Sequence, residues 1–167
     1  MAVEFPEKSK YDLMGDLLTA IDFHLMKIVR VDLHNRLLFE DMVLDRTWGG
    51  VEHVAFSFSA LEKVIMLLSG SSGMVKFSDP LTTIGQVAYK KINMRFSVEL
   101  FVPLFMDTSR IAGFIYLARQ GGDAELPHSY AYMSSLRLLV LLLEREFFEQ
   151  AVQDKLNKTV LMLCEII

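Results

Sequence analysis

The chain has 167 residues, 52% of them hydrophobic and 23% charged, with a formal net charge of −4. That length carries one domain with a substantial core, and without a clustered Lys/Arg run it argues against direct nucleic-acid binding. The single cysteine, Cys164, excludes an internal disulfide framework and any two-cysteine metal site, and suits a reducing compartment.

Residues 1–8 read as a loose lead-in, with no basic stretch ahead of an apolar run and so no signal peptide. From Ser9 to Phe23, Tyr11, Leu13, Met14, Leu17, Leu18 and Ile21 fall at helical spacing, with Ser9 as N-cap. His24 to Leu33 is a strand, Met26 and Ile28 on one face and Leu25, Lys27 and Val29 on the other. A His34-Asn35 turn, lacking the usual glycine, leads to a second strand over Arg36 to Leu44. Asp45 to Gly50 is a break, and Val51 to Phe58 is a third strand or an extended loop. Ser59, with Glu62 three residues on, has the capping-box pattern for a helix from Ala60 to Leu68. A short strand over Met74 to Phe77 and a helix over Leu81 to Ile92 follow.

Ser97 to Ala118 is the sequence's strongest hairpin signal: two runs rich in Val, Ile, Phe, Leu and Tyr around Asp107, Thr108 and Ser109. Both runs are apolar nearly throughout, so both sheet faces should be covered. Pro103 belongs on an edge or at a bulge, because proline cannot donate to a ladder. From Ser129 to Ile167 no glycine or proline breaks a helix. Leu138 to Leu143 is apolar but is stopped by Glu144, Arg145 and Glu146, too short to cross a membrane. This first half is apolar all round, which implies burial against a sheet and a neighbouring helix at once. Further on, Phe148, Val152, Leu156, Val160, Leu163 and Ile167 approximate a coiled-coil seam. Packing on the chain's own domain would use the same stripe.

Val102-Pro103-Leu104 followed by Ile111-Ala112-Gly113-Phe114-Ile115-Tyr116-Leu117 resembles the VPL … I-G-V-L-x-L hairpin of GAF domains. Gly73 to Asp79 is similar to the family's G-x-P-V-x-x-x-D element, with Met74 where proline is usual. The resemblance spans roughly residues 11–150. It implies an α/β sandwich: an antiparallel sheet of five or six strands, terminal helices on one face, and short helices and loops on the other. It assigns residues 9–150 to a sensory domain, and 151–167 to the start of a helical linker toward an output domain such as a transcription activator, a histidine kinase or a cyclic-dinucleotide enzyme.

No GxSxG, P-loop, HExxH or EF-hand pattern is present, and the four histidines lack metal-type spacing. The loop cysteines of the family's methionine-sulfoxide-reducing branch, the mid-domain cysteine of its bilin-linked branch and its cyclic-nucleotide signature are also missing. The expectation is therefore a non-enzymatic cytoplasmic domain with no identifiable cofactor. The family places a pocket on the sheet face opposite the terminal helices. Trp48, Phe58, Phe77, Asp79, Tyr89, Arg95 and Glu99 are the candidate ligand contacts, with Phe56 and Ser97 beside them. Glu99 interrupts an apolar strand, and a charge on a covered face is paired or binds something; a rim salt bridge is the alternative. Leu139, Leu143, Phe148, Val152, Leu156, Val160 and Leu163 are the candidate homodimer interface. The functional expectation is a small-molecule sensor that transmits through dimeric terminal helices. The alternative is a structural dimerisation domain whose pocket is filled by its own Phe and Met side chains.

Overall fold

A computed structural model describes residues 9–47, 55–70, 75–77, 96–107, 110–121 and 130–166. The elements are α1 (Lys10–Ile21), β1 (Leu25–Asp32), β2 (Leu37–Asp45), α2 (Phe58–Gly70), β3 (Val75–Phe77), β4 (Phe96–Phe105), β5 (Ile111–Gln120) and α3 (Tyr130–Ile166). Four long strands and the three-residue β3 form one antiparallel sheet in the order β2-β1-β5-β4-β3. The helix expected over Leu81 to Ile92 lies outside the described residues, as do residues 51–54 of the segment expected as a strand or extended loop; residues 55–57 form no strand, and Phe58 already belongs to α2.

β5 and β4 are buried along nearly their whole length. One face carries Met26, Ile28, Leu100, Val102, Ile115 and Leu117 against Met14, Leu18 and Ile21 of α1 and Leu136, Leu139, Leu143 and Phe147 of α3. The other carries Leu25, Val29, Phe101, Phe114 and Tyr116 against Leu61, Val64, Ile65 and Leu68 of α2. The period-2 reading of β1 is therefore the observed one. Pro103 pairs with Phe114, but β3 pairs only with Glu99 to Phe101. Among the described residues β4 is an edge beyond that point, where a missing N–H is tolerated.

Local chemistry explains the element ends. Ser9 Oγ accepts the Asp12 N–H at 3.2 Å while Asp12 Oδ2 accepts the Ser9 N–H at 3.1 Å, a reciprocal cap on α1. α1 ends at Asp22 in the left-handed region, φ 54°. The nearly buried Arg119 donates from Nε to the Asp22 carbonyl at 3.0 Å and from Nη2 to the Ile21 carbonyl at 3.1 Å, tying that end to β5. The β1–β2 connection is four residues, Leu33 to Arg36, where a two-residue turn was expected. Arg36 takes the left-handed position, φ 54°, that glycine would usually fill, and Asp32 Oδ1 accepts the Asn35 N–H at 3.0 Å. α2 begins at Phe58, earlier than the Ser59 pattern implied: Ser57 Oγ accepts the Ala60 N–H at 3.3 Å. Glu62 instead pairs with Arg36 at 2.9 Å.

Gly113 is fixed by a close approach. A Cβ there would lie 2.3 Å from the Val29 carbonyl oxygen and 2.9 Å from the Phe147 ring, so the small residue lets α3 seat on the β1–β5 seam. Beside it the β4–β5 ladder slips, Leu104 pairing with Gly113 and Phe105 with Ile111, which leaves Ala112 unopposed.

Candidate functional site

The face opposite α1 and α3 holds the densest buried polar chemistry among the described residues. Sheet register builds it: Lys27 on β1 stands opposite Tyr116 on β5, Tyr116 opposite Phe101 on β4, and Glu99 one step along opposite Ala118. Alternation sends Lys27, Glu99, Phe101 and Tyr116 to the same side. Tyr116 Oη donates to Glu99 Oε1 at 2.6 Å, with both side chains buried. The carboxyl that interrupts β4 is thus held inside the sheet, not at a rim.

Glu40 reaches this face through an irregularity. Ile28 pairs with Met42 but Val29 with Glu40, so Asp41 is an extra residue in β2. A one-residue slip reverses the faces of a strand. Met42 accordingly packs toward α1 and α3, while Leu38 packs toward α2. Glu40 Oε1 then accepts both from Lys27 Nζ at 2.8 Å and from the Phe56 N–H at 2.9 Å. The Phe56 ring sits 4.3 Å from Lys27 Nζ and edge-on to Tyr116, centroids 4.9 Å apart. Phe101 contacts the Tyr116 and Phe114 rings at 5.0 and 5.7 Å. Burial in this apolar setting lowers the Lys27 pKa below 10.5, and Glu40 opposes the shift.

Of the residues singled out from sequence, the structure brings Glu99 and Phe56 into this cluster. Phe58 lies at its margin, packed against the α2-side core with the Arg36 guanidinium 4.9 Å from its ring. Phe77 pairs with Glu99 in the β3–β4 ladder. Ser97 donates to the Gly121 carbonyl at 2.6 Å, closing the end of the β4–β5 pair. Trp48, Asp79, Tyr89 and Arg95 lie outside the described residues. Sequence reasoning passed over Lys27, Glu40 and Tyr116. Lys27 carried the same signal as Glu99, a charge set among apolar strand residues, whereas the Asp41 bulge that delivers Glu40 leaves no mark in composition.

The interface residues divide. Leu139 and Leu143 are buried in the chain's own core and are unavailable to a partner, a correction to the expected seam. Phe148, Val152, Leu156, Val160 and Leu163 are each about half exposed. Leu138, Leu141 and Leu142 are also exposed, so the first half of α3 is covered by the chain on one side only. Cys164 is exposed on the same helix. Among the described residues, no group of three His, Cys, Asp or Glu could hold a metal ion, and no helix is long and apolar enough to cross a membrane.

No family model matches the sequence, and no curated protein matches it. Solved structures do resemble the fold. The photoproduct state of a GAF3 domain from Synechocystis aligns with a TM-score of 0.61 at 9% identity, covering 88% of this chain and 96% of that one. The GAF domain/HD domain protein of Geobacter sulfurreducens gives 0.55 at 14% identity, over 84% and 89%. The GAF domain of a two-component sensor histidine kinase from Bacillus halodurans gives 0.52 at 15% identity, over 87% and 98%. The fold of this chain is that of GAF domains.

Proposed function

We propose that this GAF-fold chain is a regulatory sensory domain that binds a small molecule on the sheet face opposite α1 and α3, and passes its state through a dimer of terminal helices. It would serve in the cytoplasm as part of a larger signalling or transcription-regulatory protein, with no catalytic step of its own. One observation carries the reading. Lys27 and Glu99 are both buried on one face, each beside a polar partner and ringed by Phe56, Phe101 and Tyr116. Burying such groups costs stability that an apolar filling would not, so their presence suits recognition of a polar ligand with a flat apolar body. Domains of this fold from a sensor histidine kinase and with a photoproduct state support a sensory role.

Four aromatic rings touching one another on that face favour a second reading, a self-filled structural module. Native mass spectrometry of the purified chain, compared with its denatured mass, separates the two. The sensor reading expects a small-molecule adduct that Tyr116→Phe weakens without unfolding the chain. A dimer free of adduct, with no metabolite raising its melting temperature, would favour the structural module.

A further inference from the structure

A cavity lies on the α3 side of the sheet, where the β1–β2 turn, the residues flanking the β4–β5 turn and α3 converge. Its volume is about 430 Å³, within the range of small-molecule sites. The floor is apolar: Met106, Ile111, Ala112 and the ring of Phe147. Position matters here. Glu144 accepts the Phe105 N–H at 2.9 Å and Phe147 is the last buried residue of α3, so the cavity opens where the helix leaves the sheet. Gln150, Ala151 and Asp154 of the departing helix form its far wall.

The charges at its edge are unequally satisfied. Arg30 is held by Asp41 through Nε and Nη2 at 3.1 Å and lies over the Phe39 ring. Asp32 accepts from the Asn35 N–H and side-chain amide at 3.0 and 2.9 Å, which lowers its pKa. Asp154 accepts from Gln150 at 3.0 Å. Arg110 differs: among the described residues its exposed guanidinium meets only Asp107, at 3.7 Å, beyond hydrogen-bond range. The least satisfied charge on the cavity is therefore a cation with a planar donor fork.

We infer that this cavity binds a small carboxylic acid with an apolar body. Its carboxylate is taken by Arg110, and its hydrocarbon or aromatic part lies on Met106, Ala112 and Phe147. The same ligand would touch Gln150 and Ala151 and so extend the packed length of α3 past Phe147. The site is separate from the Lys27–Glu99 face, and its failure would leave the proposal made for that face untouched.

The test is a titration of the isotopically labelled full chain with phenylacetate, with phenylacetamide as the uncharged control, followed by amide NMR. Saturable shifts at residues 110–112 and 147–154 are expected for the acid. Arg110→Gln should weaken it about tenfold or more, as loss of a charge-assisted pair implies. Ala151→Phe, which fills the cavity from the helix, should abolish binding while amide dispersion stays native. Exchange of the amides from Gln150 to Asp154 should slow in the complex. Absence of saturable shifts, equal binding of the amide, indifference to Arg110→Gln or shifts centred on Lys27 and Tyr116 would each overturn the assignment. Unchanged exchange would overturn the coupling to α3.

Discussion

At the scale of single residues, Lys27 is the sharpest case. Its ammonium is buried on an apolar face, facing Glu40 at 2.8 Å. Burial is the larger influence and pulls its folded-state pKa below 10.5. Below that folded value Lys27 is protonated both folded and unfolded, and the burden of burying it is constant. Between that value and 10.5 the unfolded chain still holds a proton that the folded chain has released, so stability rises with pH across the window and the gain is complete above 10.5. Lys27→Met keeps the packing and removes the titrating group, so the variant should lack this rise; at neutral pH it leaves the mostly buried Glu40 carboxylate without its ammonium and should be less stable than the parent. Glu40→Gln withdraws the facing carboxylate and should cost about 3 kcal/mol, the low end for a broken buried pair since Glu40 is partly exposed. Urea unfolding of the parent and both variants as pH approaches 10.5 reads all of this; parallel pH curves for parent and Lys27→Met would defeat the account.

At the scale of elements, the start of α2 shows what local pattern conveys and what it leaves out. Ser59 and Glu62 form a valid capping-box spacing, yet the helix is capped by Ser57. Two tertiary contacts decide the matter: Glu40 pins the Phe56 N–H to the sheet, and Arg36 draws Glu62 away from the helix end. Ser57→Ala should therefore lower stability by about 1 kcal/mol, or roughly 2–4 °C in melting temperature for a domain of this size. Ser59→Ala, at an exposed position inside the helix, should change it little. The reverse order of effects in a thermal melt would restore the sequence-based cap. Elements with strong composition were legible: the paired β4 and β5, the Ser9 cap and the two faces of β1. Features set by one extra residue were not. The Asp41 bulge turns Glu40 toward Lys27, and the left-handed Arg36 lengthens the β1–β2 turn. The bulge does reverse the faces of β2, but the residues at the shift, Glu40 and Asp41, are both charged, so the hydrophobic pattern does not show where the change occurs.

At the scale of the whole molecule, α3 does two jobs in sequence. Up to Phe147 it closes the core through Leu136, Leu139 and Leu143; beyond it, every residue but the half-buried Ala151 is exposed through Ile166. Apolar residues continue through the change with only one step of five, from Leu143 to Phe148, which is why sequence alone joined Leu139 and Leu143 to a single seam with Val152 and Leu156. Burying the exposed half of Phe148, Val152, Leu156, Val160 and Leu163 is worth roughly 1 kcal/mol each. Counted over both chains that comes to about 10 kcal/mol, within the ~4–15 kcal/mol lost on association. Burying the exposed Leu138, Leu141 and Leu142 as well would add to this and place part of the interface on the domain itself. Ending the chain after Gln150 should consequently leave a folded domain, since the removed residues take almost nothing from the core, and should weaken self-association without abolishing it. Leu156→Glu in the full chain should weaken it in the same direction, with unchanged urea stability of the domain. Sedimentation equilibrium at micromolar concentrations distinguishes the cases. A full chain that is monomeric there would remove the dimer, and a truncated chain that associates as tightly as the parent would place the interface wholly before Gln150.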